Sequence, residues 1–406
     1  MLESKIMSTA SAMYNDMLDF AQRLVQTPSI TAQEKDAADL VLAEMRKLGY
    51  DEVFRDKGGN VVGIIRGSGG GEHIMFNFHL DHVSPGNLEE WEYPPYDGVI
   101  ADGYLHGRGA SDTKGATAVQ VYAAACIKKA GVATKGDIIV TGVIDEEPGD
   151  MWGMQLLAKD VLQDYPGKIA LGVLAEATGL DIYLGHRGRV EIELSTLGQI
   201  GHSSAPWRAT NAVYKMNPIV RALEKMADKL PADDFLGKSS ISVTNIECSP
   251  GWGSIVPDKC TIFIDRRFLP SENKETILAE IEGIIAKCAR ETELRATYEI
   301  RKLAHTSYTG IEETVDLYKP AYLVPKDDVN VLKTVEALKK VGQNPGFGRW
   351  DFGTDGPWTT LELGIPTIGY SPAEEEYAHT TEDRISLDLM EKGLIGSIAI
   401  ALEITN

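Results

Sequence analysis

Cysteine is scarce in this chain: 406 residues hold four, Cys126, Cys248, Cys260 and Cys288, far apart and with no C-x-x-C pair. That excludes a disulfide framework and a zinc knuckle, and leaves buried free thiols as the expectation. Long apolar runs are missing as well. No stretch approaches the roughly 20 residues of a membrane helix, and the N-terminal MLESKIMSTASAMYNDML lacks the apolar centre of a secretory signal. A cytoplasmic protein without a membrane partner is expected. Positive charge is in short supply, with 40 Lys and Arg against 60 Asp and Glu and a formal net charge of -20. The basic footprint that nucleic acid or an anionic bilayer requires is therefore absent. Internal repeats and low-complexity segments are lacking too. Small molecules and metal cations remain as partners.

What is present suits a soluble globular protein: 43% hydrophobic and 25% charged residues. The length exceeds what one core organises, so two domains are expected, one of which can be inserted in the other. Residues 9–26 read as a helix. A second helix follows, with Thr31 and Glu34 as a capping box, apolar positions at Ala37, Val41, Met45 and Leu48, and Gly49 as its stop. NVVGIIRG and HIMFNFHL, separated by GSGGG, read as neighbouring strands joined by a hairpin turn. A helix over 115–130, the strand DIIVTGVI and the strand LGVLAEA continue an α/β sheet covered on both faces. From about residue 187 the character changes. VEIELSTLG alternates strictly, then a helix (211–229), strands (239–247 and 259–267) and a helix (272–291) follow, giving a β-α-β-β-α-β unit. After residue 312 the α/β pattern returns through VNVLKTVEALKKVG, IPTIGYSP and a helix from 387. The expected division is therefore 1–188 plus 312–406 for one domain and 189–311 for an inserted one.

Charged residues collect where apolar strands end. In FHLDHV, His79 and Asp81 lie two apart on a strand and face the same way, about 6.6 Å apart. A metal-bound imidazole donates its second N–H to a carboxylate or carbonyl, so His79 on a metal with Asp81 holding its ring is a natural arrangement. IDEEPGD follows the strand IIVTGVI, and its neighbours Glu146 and Glu147 point differently, which permits two jobs: one carboxylate on a metal, the other free to take a proton. A surface loop of solvated charges has the same composition. Asp112 lies in GRGASDTKG, whose spacing fails the phosphate-loop pattern. Glu176 ends LGVLAEA, and His379 lies in YAHTTED. Singly each is uninformative. Five oxygen or nitrogen ligands at strand ends of one α/β domain, however, can hold two ions if one carboxylate bridges.

At this point the chain resembles the co-catalytic zinc hydrolases that include acetylornithine deacetylase, succinyl-diaminopimelate desuccinylase, carboxypeptidase G, aminoacylase and several dipeptidases. The likeness runs in order through His79-Leu80-Asp81, WEYPPYDGVIADGYLHGRGASDTKG (91–115), Asp145-Glu146-Glu147, Glu176, GHSSAP (201–206) with Asn211-Ala212, VPDKCTIFIDRR (256–267) and Ala378-His379. DDFLGKSSISV and IDRRFLPSE are similar to a branch of hydrolases linked to selenium metabolism. The resemblance implies a zinc-peptidase-like α/β/α sandwich with an inserted ferredoxin-like α+β domain that serves as lid and dimerisation unit.

The resemblance also implies roles. His79 and Glu176 would bind one divalent ion, Glu147 and His379 the other, with Asp112 bridging and Asp81 orienting His79; zinc is expected, with cobalt or manganese as alternatives. Glu146 would be the general base toward a metal-bound hydroxide. His202 would donate to the oxyanion, commonly from a partner subunit, so a homodimer is expected. Arg267 would grip a substrate carboxylate, with Asn211 assisting and Arg266 structural. The implied activity is cleavage of an amide or peptide bond in a small carboxylate-bearing molecule, of deacylase or dipeptidase type. Glu374, Glu375 and Glu376 beside His379 could receive a free α-amino group in the dipeptidase case. The alternative is a scaffold of the same fold that kept the metal and lost catalysis, against which intact Glu146 and His202 speak. The chain departs from the family at Ser254, where an asparagine is usual, at Gly353 to Pro357, and at His82. His82 is expected to pack, Arg187 and Arg189 to form salt bridges or a hinge, and His73, His106, His186 and His305 carry no motif support.

Overall fold

The structure is a computed structural model that describes residues 4–165, 168–251 and 253–406. Helix α1 (Ser4–Val25) buries a stripe of Ile6, Ala10, Met13, Met17, Phe20 and Leu24, the spacing of one helical face. Helix α2 (Lys35–Lys47) ends at Gly49, whose φ of +79° closes the turn. The expected capping box does not form. Thr31 Oγ1 donates instead to Asp81 Oδ2 at 2.8 Å, and Glu34 stands at the N-cap and accepts from the Ala32 amide at 3.0 Å. The reason is energetic: Asp81 is fully buried, and a hydrogen bond to a buried charge outweighs one to a helix end.

The chain then runs through β1 (Glu52–Arg55), β2 (Val61–Ile65), β3 (His73–His79), α3 (Gly115–Lys129), β4 (Ile138–Val143), α4 (Trp152–Asp160), β5 (Ile169–Leu174) and β6 (Ile182–His186). Next come β7 (Gly188–Leu197), α5 (Ala212–Ala227), β8 (Ser240–Ser249), β9 (Lys259–Phe268), α6 (Lys274–Thr292) and β10 (Arg295–Ile300). A hairpin of β11 (Lys302–Thr306) and β12 (Glu312–Asp316) leads to β13 (Tyr318–Lys319) and β14 (Tyr322–Leu323). Helix α7 (Val329–Lys340), β15 (Phe347–Trp350), β16 (Thr367–Gly369) and α8 (Leu387–Thr405) complete the path.

One nine-stranded sheet has the order β1-β2-β4-β3-β5-β16-β6-β14, with β15 beside β6; β4, β3, β5 and β16 are mutually parallel. On β3, Ile74, Phe76 and Phe78 pack into the core shared with α1, α3 and α8, while Met75 joins the opposite core with Met154 and Leu157 of α4. This is the α/β/α arrangement expected, and burial on both faces explains the unbroken apolar runs. The expected hairpin between β2 and β3 is wrong, because β4 lies between them. GSGGG instead wraps the residues that lead into β4: the Ser68 and Gly69 amides donate to the carbonyls of Thr134 and Lys135. A Cβ on Gly67 would come within 2.4 Å of the Gly136 carbonyl oxygen, so glycine is required by close backbone approach rather than by a tight turn.

A second, antiparallel sheet of five strands has the order β8-β9-β7-β10, with β13 beside β7. Its own core joins Val190, Ile192 and Leu194 to Met216 and Leu223 of α5 and Ile277 and Ile281 of α6. Cys126, Cys260 and Cys288 are buried, but Cys248 is exposed at the edge strand β8. Among the described residues no helix is long and apolar enough to cross a membrane.

Candidate metal centre

The parallel strands deliver the charged residues to one edge of the large sheet, where open α/β sheets place their ligand sites. His79 is the last residue of β3, Glu146 and Glu147 follow β4, and Glu176 follows β5. Asp112 comes from a kinked turn before α3, with φ -128° and ψ 88°, and a cis peptide joins it to Thr113. Buried Asp383 holds that turn by accepting from the amides of Gly109 (2.6 Å) and Ser111 (2.9 Å) and from Arg108 Nη1 (3.0 Å). His379 reaches in from a loop after β16 in the left-handed region, φ +60°, with about half of its side chain exposed.

Asp112 stands between the two histidines. Its Oδ1 lies 2.8 Å from His79 Nε2, and its Oδ2 lies 3.1 Å from His379 Nε2. Glu147 Oε2 is 3.0 Å from His379 Nε2, and Glu176 Oε1 is 3.8 Å from His79 Nε2. Ligand atoms of His79, Asp112 and Glu147 lie within 4.8 Å of one another, as do those of His79, Glu146 and Glu176. Donors about 2.0–2.2 Å from a tetrahedral ion stand about 3.4 Å apart, so shifts of about 1 Å would let these groups share a cation. The donor set is nitrogen and oxygen with no thiolate, which suits zinc, cobalt or manganese.

The electrostatics fit a cation too. Burial, then the nearby Asp112 and Glu146, push the Glu176 carboxyl far above its ordinary pKa; burial likewise lifts Glu147 to about 7. Charge wins at Asp112, where burial opposes ionisation but contacts with His379 and His79 hold the carboxyl well below the carboxylate range. Hydrogen bonds to Asp112 and Glu147 raise His379 to about 10. Converging carboxylates that must borrow protons to coexist are what a divalent ion would relieve.

Asp81 holds the His79 ring, but through its backbone carbonyl rather than its carboxylate. His79 Nδ1 donates to the Asp81 backbone carbonyl at 2.9 Å, whereas Asp81 Oδ1 is 3.6 Å away. A carbonyl can only accept, so Nδ1 carries the proton and Nε2 is left for a metal. The carboxylate is occupied elsewhere, accepting the Glu146 amide at 3.1 Å, the Glu147 amide at 3.2 Å and the Thr31 hydroxyl. Asp81 therefore sets the loop that carries Glu146 and Glu147.

A cleft of about 330 Å³ opens on this cluster. Asp112, Glu146, Glu147, Glu176 and His379 line it on one side, and Arg189, Arg267 and Lys319 from the second sheet line it on the other. Arg267 rests Nε on Asp265 at 2.8 Å; Arg266 is fully buried against Glu272, in keeping with a structural role. Arg189 forms the salt bridges expected of it, with Asp265 and Glu191, yet it also lines the cleft. Two expected contributors lie elsewhere. His202 is exposed, its ring bonded to Ser204, and Asn211 caps α5 by accepting the Val213 amide at 2.9 Å. Neither lines the cleft of its own chain. His82 packs as expected, accepting the Ser29 amide at 2.9 Å, and burial lowers its pKa to about 3.

The sequence reading passed over Lys319 and His305. Lys319, buried, places Nζ 3.2 Å from Glu146 Oε1. His305 lies between Asp145 and Asp150, the two carboxylates that bracket Glu146 and Glu147 in IDEEPGD, and stacks on Trp152. A signal existed for the lysine: it is one charge inside the apolar stretch LYKPAYLV, and buried lysines are almost always paired. Asp383 had none.

Comparison with known proteins bears on this geometry. The profile of Peptidase family M20/M25/M40 matches residues 75–398. The chain is 32% identical over 380 residues to the uncharacterized protein YgeY of Escherichia coli K12, covering 93% of this chain and 92% of that one. It is 28% identical over 287 residues to a succinyl-diaminopimelate desuccinylase of Methylococcus capsulatus, covering 69% of this chain and 75% of the other. Among solved structures, the Bacillus subtilis YXEP protein, described as a dinuclear metal binding peptidase from the M20 family, aligns with a TM-score of 0.71 at 14% identity, over 97% of this chain and 99% of that one. That likeness is one of fold.

Proposed function

The chain belongs to peptidase family M20/M25/M40 and is a metal-dependent hydrolase of peptide or amide bonds, and from that premise we propose that it uses two divalent ions to cleave a small carboxylate-bearing amide. His79 and Glu176 would hold one ion, Glu147 and His379 the other, with Asp112 between. The observation that carries this reading is the division of the Asp112 carboxylate, one oxygen to each histidine. The dinuclear description of the Bacillus subtilis relative supports it. Ions bound there would polarise the scissile carbonyl and lower the pKa of a water ligand.

The remaining steps belong to side chains. Glu146, whose amide donates to Asp81, would take a proton from the attacking water and pass it to the departing amine. Arg267 holds a substrate carboxylate with the part of its guanidinium that Asp265 leaves free. The desuccinylase relative supports N-acyl amino acids as substrates. Glu375, which lines the cleft beside His379, supports a peptide with a free α-amino group as a second reading.

His202 and Asn211 enter this scheme through a second copy of the chain. Around them Ile200, Trp207 and Tyr214 are exposed at 52%, 76% and 76%. Large apolar side chains left open beside a motif histidine favour burial in a homodimer. The insert at 189–311 would then act as lid and dimerisation unit. Free cysteines are in keeping with a reducing, cytoplasmic setting.

The test is Glu146→Gln, assayed on N-acyl amino acids and dipeptides with metal content measured in parallel. Retained metal with turnover lowered by about 10²-fold or more is expected. Parental turnover would discard Glu146 as the base.

A further inference from the structure

The cleft contains a cation to which neither the metal cluster nor carboxylate binding assigns a task. Lys319 lies on β13, paired with β7 so that its backbone sits opposite Arg189. Its side chain is 2% exposed, and among the described residues the one hydrogen-bond acceptor it meets is Glu146 Oε1 at 3.2 Å. Burying an ammonium group in a cleft is costly unless a carboxylate compensates it, so its position needs a reason. The path to Glu146 is built for it. Gly353 flanks the lysine stem, and a Cβ there would lie 2.6 Å from Lys319 Cδ.

We propose that Lys319 is a positioning residue for the base: its ammonium group anchors Glu146 Oε1 and so turns Oε2 toward the scissile bond. The inference rests on the reading of Glu146 as base. The geometry explains the division of labour between adjacent carboxylates. Glu147 faces His379, whereas Glu146 is drawn toward the second sheet by a fixed cation. A free Glu146 could rotate toward His79 and Glu176, with which its oxygen already lies within 4.8 Å, and become a further metal ligand. Lys319 opposes that rotation. It also ties base orientation to the second sheet, since β13 is a strand of that sheet.

The test uses the full-length, metal-loaded protein. Lys319→Met should lower kcat by about 10²-fold while KM moves by less than about threefold and the metal content stays at the parental value. Lys319→Ala should regain turnover saturably on addition of ethylamine or propylamine, whose ammonium can occupy the space left beside Glu146. A purely structural lysine would show no such rescue. Parental kcat in Lys319→Met, or a loss in Lys319→Ala that amines do not restore, would overturn the proposal. Glu146→Gln assayed alongside separates the two readings. If it is inactive while Lys319→Met is fully active, only the lysine assignment falls; if it keeps parental turnover, the base reading falls and the lysine with it.

Discussion

His305 Nε2 lies 2.5 Å from Asp150 Oδ2, joining the β11–β12 hairpin to the far end of the loop that carries Glu146 and Glu147. Its Nδ1 meets Asp145 at 3.0 Å, so one ring clamps the loop at both ends. Burial disfavours charging the ring, but Asp145 and Asp150 outweigh it and raise its pKa to about 9. A raised pKa means that the folded state holds the proton more tightly than the unfolded chain. The stabilisation is complete below about pH 6.5 and is lost as pH rises through about 9. In His305→Gln, the loss in Tm relative to the parent should be large near pH 6 and shrink above about pH 9. A gap that does not change with pH would show that the charged ring is not what holds the loop.

The split of Asp112 between two histidines predicts unequal consequences for metal content. His379→Ala should leave an ion at His79 and Glu176 and lower the content to about one per chain, whereas Asp112→Asn should weaken both sites. Chelation should abolish turnover in the parent, and zinc, cobalt or manganese should restore it. Because His379 holds its proton up to about 10 in the metal-free chain, metal uptake must release protons. Affinity should therefore rise with pH across the neutral range, as titration calorimetry in buffers of different ionisation enthalpy would report. Equal metal loss in both variants would contradict the bridging arrangement.

Arg267 should act on binding more than on chemistry. A charge-assisted hydrogen bond contributes about 1.5–3 kcal/mol, so Arg267→Ala should raise KM for a carboxylate substrate by about 10- to 100-fold, with kcat changed far less. Lysine should restore little, because the planar fork rather than the charge alone matches a carboxylate. The same substitution assayed on a neutral amide analogue should show no KM effect. If both substrates respond alike, Arg267 is holding the second sheet rather than the substrate.

Exposed Trp207 and Tyr214 predict a self-association that a charge would break. Trp207→Glu should convert a dimer to a monomer in sedimentation, with turnover lost. Mixing Glu146→Gln with His202→Ala should then regain activity, because one hybrid site per mixed dimer has both residues intact. A monomeric parent with full activity would refute the exchange of His202 between subunits.

Much of this architecture is legible in the residues themselves. Unbroken runs such as IIVTGVI mark strands buried on both faces, and the strict alternation of VEIELSTLG marks a one-sided sheet, because side-chain direction repeats every two residues along a strand. The ligand-type residues are likewise visible where those runs stop. Strand order is not, and the misread hairpin at GSGGG shows why: the glycines answer to residues 134–136, far along the chain, and nothing local records that contact.

By itself, then, the sequence marked the main elements and the two sheets' characters, because side-chain periodicity is a property of short segments, and it marked His79, Asp112, Glu146, Glu147, Glu176 and His379 as candidates only through their order along the chain. Only the tertiary structure decided how they are used. It placed Asp112 between two histidines, transferred the Asp81 carboxylate from His79 to the Glu146 loop, and brought Lys319 and His305 back to Glu146, Asp145 and Asp150. The last two pairings span more than 150 residues. A buried charge is specified by whatever reaches it in three dimensions, and the sequence carries that information only through the whole fold.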